Sequence, residues 1–588
     1  MTDTEGQMSL FEDDAELACA GPDDVSTTTP ETPIAAVLPD QKLHGHDSDP
    51  SDLVSNAVEP QTSAVALPRA STGADNHAII VTAEGSFAPS GSSLTGPVDS
   101  ITKLGRLIDW ASAKSMLTPR GGSAQIWILG LDACEQLGWV IDIDSLEGES
   151  NEDERQAAIE LLDTVINDTL HSMIQEGWEI RGKAGHRIHL LRTDGTTRRM
   201  VDIVLEPYAW TTSSKDQKLG ILGDESVGTV LPDEDMAAAQ ELGRRIAFCV
   251  EHLGVLPANT AARTGAAIVD QIAKDRKKAK RGAVATTAGP VPPLEGQLFG
   301  DIEPEIDWVR RPEREELDGV SKLVTIDQRA SYLASAGMLN FGLGEPRRAP
   351  DADTPARSDR RPFGLWRVIL PAGNRLALPT GLPLPHPHMD PDRDVQTWVT
   401  TIGLNCLTAP IEDGGAGLDV DDLGIDEAWL WPEQARMLEA WAKRLREARA
   451  VAVDADDAAM KTFIGSIYKD YVGRMKKPEM WQSEWVRHHH QPVWRASIQA
   501  MSRWRGRRAA MRIAAETGRW PIRSLVDSWV YVLADGEEIA DESPNLGKMA
   551  LEKIAPLTPE TIDALAAAEN RGDIRAVLTS IYNKVGQE

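Results

Sequence analysis

The chain has 588 residues and a formal net charge of −30; that is room for two or three domains with ample cores, and too acidic a balance for a protein that coats nucleic acid indiscriminately, so any DNA contact has to come from a local patch. Cys19, Cys134, Cys249 and Cys406 are scattered without CxxC spacing, which argues against a disulfide scaffold or zinc ribbon and for a reducing cytoplasm. The first residues are acidic where a signal peptide would be basic and then apolar, and no apolar run approaches the roughly 20 residues that span a bilayer, so no membrane partner is expected.

Residues 1–98 are rich in Asp, Ser, Thr, Pro and Ala, with few aromatics and no sustained period. Such a segment cannot bury enough apolar surface to offset the cost of ordering, and a disordered acidic tail is expected. Within it, Gln7-Met8-Ser9-Leu10-Phe11 resembles the peptides that dock in the bacterial sliding clamp. Leu10 and Phe11 would fill an apolar pocket, Gln7 would hydrogen-bond at its rim, and Ser9 supplies the small polar position. The alternative is a chance apolar cluster; Gln297-Leu298-Phe299 is a shorter version of the same pattern.

Patterning becomes globular near residue 99. An amphipathic helix is expected over 101–116, a strand over 125–129, a helix from about 152 to 177 capped by Asn151 with Glu154, and a hairpin of 187–192 with 198–205 around Asp194-Gly195. This α+β module extends to about 215. A helical pair follows within 230–280, at about 234–253 and 260–276. The basic run Lys274–Arg281 and a Pro/Gly-rich linker over 281–300 then mark a domain boundary.

The region 301–560 carries the chemistry. Leu323–Ile326 is an apolar run ending in Asp327, which places a carboxylate at a strand end, and a helix-like segment with Tyr332 follows. Ser524-Leu525-Val526, Asp527-Ser528 and the alternating Trp529–Leu533 read as a β-hairpin with an acid at its tight turn. Two acids at strand ends of one sheet are what a two-metal phosphoryl-transfer site needs. Magnesium, or manganese in its place, takes few protein carboxylates and leaves positions open for substrate phosphates. Between the acids, residues 426–449 read as a helix, with Trp429, Met437, Leu438, Trp441 and Leu445 as core. Lys461–Arg523 then holds fourteen Lys/Arg against four Asp/Glu, interleaved with Trp481, Trp485, Trp494, Trp504 and Trp520. Basic groups track phosphates and aromatics stack single-stranded bases, so this stretch is the expected DNA contact, with Arg503, Arg505, Arg507, Arg508, Arg512 and Lys548 as candidate ligands. The alternative is a solvated helix face over buried tryptophans. Consecutive His488, His489 and His490 on an α-helix would point about 100° apart, which speaks against one shared metal ion. A short helical segment is expected over 561–588.

The three stretches 323–336, 460–471 and 523–533 resemble the palm motifs of family B DNA polymerases, especially the protein-primed branch. The family's first motif is an aspartate with a tyrosine five residues on, as in Asp327 and Tyr332. Its second is a helix with Lys, Asn-Ser, Tyr and Gly in fixed order. Lys461, Ser466 and Tyr468 hold their places, while Gly465 replaces the asparagine and Lys469 the glycine. Its third, Asp-Thr-Asp-Ser, stands here as Leu525-Val526-Asp527-Ser528, and Leu546–Glu552 is similar to the segment that follows the palm hairpin. Asn340–Pro346, Trp431-Pro432 and Ala514–Pro521 further resemble the telomere-associated proteins of linear actinobacterial replicons, which act with a terminal protein at DNA ends.

The resemblance implies an α+β fold with an antiparallel palm and two metals on Asp327 and Asp527. It implies that Lys461 neutralises the triphosphate, that Tyr332 lies beneath the sugar, and that Tyr468 and Ser466 line the nascent pair. DNA, and with it a terminal protein or a sliding clamp, would be the partners. A proofreading exonuclease upstream would need its own acid pair, for which Asp142 and Asp144 are the candidates. A polymerase-derived scaffold that binds DNA and a terminal protein without chemistry stays open, as does an unrelated acidic enzyme.

Overall fold

The computed structural model describes residues 73–142, 151–170, 177–195, 197–212, 220–278, 302–539 and 545–585. The clamp-like peptide at 7–11, its shorter version at 297–299 and Asp144 lie outside these residues. Part of the segment that composition assigns to a tail is folded. Residues 78–95, assigned above to the tail, form β1 (Ala78–Val81), β2 (Ser86–Phe87) and β3 (Ser93–Thr95). All four residues of β1 are buried, as a strand covered on both faces requires.

These strands join β4 (Ala124–Ile128), β5 (Glu179–Ala184), β6 (Arg187–Asp194) and β7 (Thr197–Leu205) in a seven-stranded sheet of order β3-β2-β1-β4-β7-β6-β5. The central β1, β4 and β7 run parallel and the flanks antiparallel, with β6 and β7 making the expected hairpin. One face buries Ile79, Ile126 and Ile203 against α1 (Ile101–Ala113) and α3 (Asn151–Thr169); between these lies α2 (Leu131–Gln136). The other face, with Ile80, Trp127 and Val204, packs on α4 (Asp235–Phe248). That core continues through α5 (Ala261–Lys278), where the Trp441 indole donates to the Gly265 carbonyl at 3.1 Å, so the helical pair joins the module to the rest of the chain.

The remaining chain forms three antiparallel sheets. Strands β8 (Asp307–Val309), β9 (Lys322–Gln328), β16 (Arg523–Leu525), β17 (Ser528–Leu533) and β18 (Met549–Pro556) make a five-stranded sheet of order β18-β9-β17-β16-β8. Before the long insertion between β9 and β16 comes α6 (Ser331–Ala336). The insertion holds β10 (Phe341–Leu343) paired with β15 (Glu433–Ala435), and the sheet β11-β14-β12-β13 built from Arg347–Arg348, Glu427–Leu430, Gly364–Leu370 and Val395–Thr400. It also holds α7 (Asp353–Ala356), α8 (Thr401–Thr408), α9 (Glu439–Asp454), α10 (Ala458–Arg474) and α11 (Pro492–Thr517); α12 (Pro559–Ala567) and α13 (Arg571–Val585) end the chain. The helix expected from 426 therefore begins at 439. Pro432 interrupts the segment, and Trp429 is used in cross-strand pairing with Leu365 and Arg348.

Alternation along the five-stranded sheet sends Leu323, Val530 and Val532 to α12 and α13, and Val324, Ile326, Trp529 and Tyr531 to α11. The α11 helix comes so close that a Cβ on Gly506 would lie 2.6 Å from Gln328 Nε2 and 2.9 Å from Trp529 Nε1. Gly506→Ala should therefore destabilise the fold by about 1–3 kcal/mol, the usual cost of overpacking; chemical denaturation checks this, and an unchanged midpoint would show that α11 moves freely over the sheet.

Candidate active site

Sheet register brings the two acids together. Asp327 sits opposite Ser528 across the β9–β17 ladder, and Asp527 at the hairpin tip accepts from the Gln328 amide through its backbone carbonyl at 3.4 Å. Val526, just before it, has φ +56°, a left-handed conformation that costs a β-branched residue of order 1–3 kcal/mol. That strain sits one residue from a candidate ligand. On the other side, Ala550 of β18 pairs with Asp327, and a bulge between Leu551 and Lys553 re-aims Glu552 so that its carboxylate accepts from Ser528 Oγ at 2.8 Å.

Three carboxylates thus share one sheet edge. Burial, then the charges of Asp527 and Glu552, pushes Asp327 up to about 7 against a partial offset from Lys469. Asp527 is raised as well, chiefly by burial. Among the described residues no donor reaches the buried Asp327 Oδ1; the carboxyl group it faces is that of Asp527. A buried carboxylate oxygen beside a second raised carboxylate, with oxygen-only donors, fits a hard dication such as magnesium or manganese.

The lysine that the fold sets against these acids is Lys469. Lys461 lies in the first turn of α10, near its Asp457 cap, about 12 Å further along the helix axis. Tyr468 is buried and feels both Asp327 and Asp527. The Tyr332 hydroxyl donates to Glu305 at 3.0 Å and lies within the field of Asp527. Ser466 turns back to its own helix, donating to the Thr462 carbonyl at 3.2 Å. Asp327, Asp527, Tyr332 and Tyr468 are therefore gathered, whereas Lys461 and Ser466 are not brought to the acids.

The candidate DNA ligands divide by helix face. Arg503 and Arg507 are 5% and 1% exposed. Arg503 pairs with Glu303, and Arg507 donates to the Gly414 and Pro383 carbonyls. They belong to the core and correct the expectation that they face DNA. Arg505, Arg508 and Arg512, together with Trp504 and Lys548, instead line a groove of about 560 Å³. A second hollow of about 460 Å³, lined by Arg446, Arg449 and Arg505, adjoins it at Arg505. The Lys548 backbone carbonyl accepts from the Arg329 amide at 3.0 Å, and the residue lies two before the register partner of Asp327, so the basic surface starts beside the acids. Among the described residues, Arg508 and Arg512 have loose exposed partners, Asp413 at 3.8 Å and Glu516 at 3.9 Å. Among the interleaved tryptophans, Trp481 and Trp494 are core, while Trp485 is exposed.

Among its described residues the upstream module gathers acids other than the expected Asp142, while Asp144 lies outside those residues. The parallel strands β1 and β4 end at one edge, where burial and the charges of Asp132 and Glu84 raise Asp235 at the start of α4. Glu206 accepts from the Gly130 amide there at 3.5 Å. Acids shortly after two apolar runs, 78–81 and 125–129, are the sequence signal for this group.

No family model matches the chain, and no curated protein matches it. Among solved structures it is similar to Phi29 DNA polymerase complexed with primer-template DNA and incoming nucleotide substrates, with a TM-score of 0.44 and 11% identity over 82% of this chain and 84% of that one. It is also similar to Phi29 DNA polymerase complexed with single-stranded DNA, with a TM-score of 0.39 and 11% identity over 82% and 83% of the two chains.

Proposed function

We propose that this protein is a DNA-directed nucleotidyltransferase of the family B polymerase type that works at replicon ends. The carrying observation is the facing pair Asp327 and Asp527, raised together and with no donor among the described residues reaching the buried Asp327 Oδ1. Two acids at that edge serve no packing purpose, since like charges in a half-buried place cost stability. Asp327 and Asp527 would hold magnesium or manganese, with Glu552 close by. Such ions stabilise the attacking and leaving oxygens of an in-line displacement. Tyr332 and Tyr468 wall the space beside the acids and keep water from it, Lys469 supplies positive charge toward the phosphates, and the groove of Arg505, Arg508 and Arg512 holds the DNA backbone.

Action with a terminal protein, and docking of residues 7–11 on a sliding clamp, extend this reading on the strength of the sequence motifs. The Glu84, Asp132 and Asp235 group is where a nuclease activity of the upstream module would be sought. The reading is tested by nucleotide incorporation on a primer–template, which Asp327→Asn and Asp527→Asn should each abolish. A DNA-binding scaffold is the second reading, favoured by Leu525 in place of an acid; it predicts DNA binding with no incorporation.

Both readings require the groove. Each phosphate contact contributes about 0.9 to the slope of log affinity against log salt on duplex DNA, so Arg508→Ala/Arg512→Ala should lower that slope by nearly 2 and weaken binding at low salt. Fluorescence anisotropy across a salt series measures this, and an unchanged slope would remove these residues from the interface.

A further inference from the structure

A second cluster of ligating side chains lies outside the groove and the acid pair. Residues Arg487–His489 form a single 3-10 turn, not the α-helix on which consecutive histidines would diverge, and its two histidines close on one carboxylate of α5. His488 Nε2 is 2.8 Å from Asp270 Oδ1, and His489 Nε2 is 3.4 Å from Asp270 Oδ2. One ligand atom from each of the three residues lies within 4.8 Å of the others, and the two imidazole rings lie 4.0 Å apart between centroids, tilted by 40°.

We propose that Asp270, His488 and His489 bind a transition-metal dication of the zinc class, which staples α5 to the 478–490 segment. Zinc with ligands at about 2.0–2.1 Å in a tetrahedron keeps donor atoms about 3.3 Å apart; here each imidazole faces its own oxygen of the Asp270 carboxylate, at 2.8 and 3.4 Å, and the three donors lie within 4.8 Å of one another, so small side-chain adjustments bring them to that spacing. Two imidazoles and one carboxylate are a donor set for zinc or a neighbouring transition ion and not for magnesium. His489 is 1% exposed by side chain, whereas His488 and Asp270 are 36% and 34% exposed, so the cluster has one anchored ligand and an open side for entry and a water ligand.

Support behind the ligands is present as well. Tyr471 Oη lies 2.9 Å from His489 Nδ1 in a fully buried position. With Nε2 on a metal, Nδ1 carries the proton and donates to that hydroxyl, the kind of contact that fixes the tautomer of a ligating histidine. The same two segments already meet through Arg263, whose guanidinium lies 4.8 Å from the Trp481 ring centroid, so the ion would reinforce an interface that exists without it. This inference does not depend on the polymerase reading.

The test uses the full chain carrying Asp327→Asn/Asp527→Asn, so that the palm acids do not contribute, stripped with chelator and titrated with Co²⁺ alone. One equivalent per chain is expected, with visible absorption bands of a four- or five-coordinate site, a rise in melting temperature, and displacement by Zn²⁺. His488→Ala, at a half-exposed position, should abolish the bands while leaving DNA binding intact. Tyr471→Phe should weaken affinity about 10–100-fold, the usual cost of losing a supporting contact. Absence of saturable Co²⁺ uptake, or uptake unaffected by both His488→Ala and Asp270→Asn, would overturn the proposal and leave the cluster a hydrogen-bonded clasp.

Discussion

Replacing Asp327 with Asn should raise the melting temperature by several degrees at pH 8 and leave it nearly unchanged at pH 4. In the folded protein burial and the charges of Asp527 and Glu552 lift Asp327 from 3.8 to about 7. The folded state therefore holds a proton that the unfolded chain releases, and stability falls as pH rises from about 4 to about 7. Above pH 7 the penalty is complete. A rise of this size corresponds to roughly 4 kcal/mol, and partial solvation of the site reduces that to about 2 kcal/mol. Asn removes the charge and with it the penalty. Magnesium or manganese should have the same effect on the wild type by binding the charged form and no effect of this kind on the variant. Thermal unfolding of both proteins at pH 4, 6 and 8, with and without the metal, reads the difference. A constant offset between them at all three values would show that Asp327 titrates normally.

The largest loss of stability is expected at Glu303. Its side chain is fully buried, with Oε1 accepting from the Thr400 amide and hydroxyl at 2.9 and 2.8 Å and Oε2 held by Arg503 and by His386 at 3.1 Å. Burial opposes the charge, yet Arg503 and His386 hold the carboxyl down at about 2. Because the folded value lies below the unfolded one, this contribution is present above about pH 4.5 and is lost as pH falls toward 2. Glu303→Gln leaves the Arg503 guanidinium buried without its counter-charge and should cost about 3–5 kcal/mol. Arg503→Met together with Glu303→Gln should recover much of that, since a buried pair replaced by groups of similar volume is often nearly neutral. A double-mutant cycle by urea denaturation measures the coupling; additive losses would mean that the pair does not interact. The network matters for the proposed function because it fixes α11, which carries the groove of Arg505, Arg508 and Arg512 on its other face.

That two-faced helix shows what was legible in the sequence. Local charge reversal marked 461–523 as the basic segment, but a count of arginines does not tell inward from outward. Spacing does: 503 and 507 share one face with Ala510 and Ala514, all buried, whereas 505, 508 and 512 follow the opposite face. The acid pair was readable because each acid ends an alternating or apolar strand, and the register of β9 with β17 joins them. Glu552 was not, since it reaches the site through a bulge. Lys469 stood only as a departure from a motif, and its position opposite the acids follows from how α10 packs. Strands β1 to β3 were hidden by the Ser, Gly and Pro around them, although Ala78–Val81 is an unbroken apolar run before Gly85.

The measurement closest to the central claim is incorporation of labelled deoxynucleotide onto a primer–template with magnesium and then manganese, comparing wild type with Asp327→Asn and Asp527→Asn. A candidate terminal protein and a bacterial sliding clamp are supplied in parallel, and DNA binding is followed in the same samples. Metal-dependent incorporation that falls at least about 10³-fold in either variant, equivalent to roughly 4 kcal/mol of transition-state stabilisation, with DNA binding retained, is the predicted result. DNA binding without incorporation by the wild type under any of these conditions would contradict it and leave the chain a scaffold.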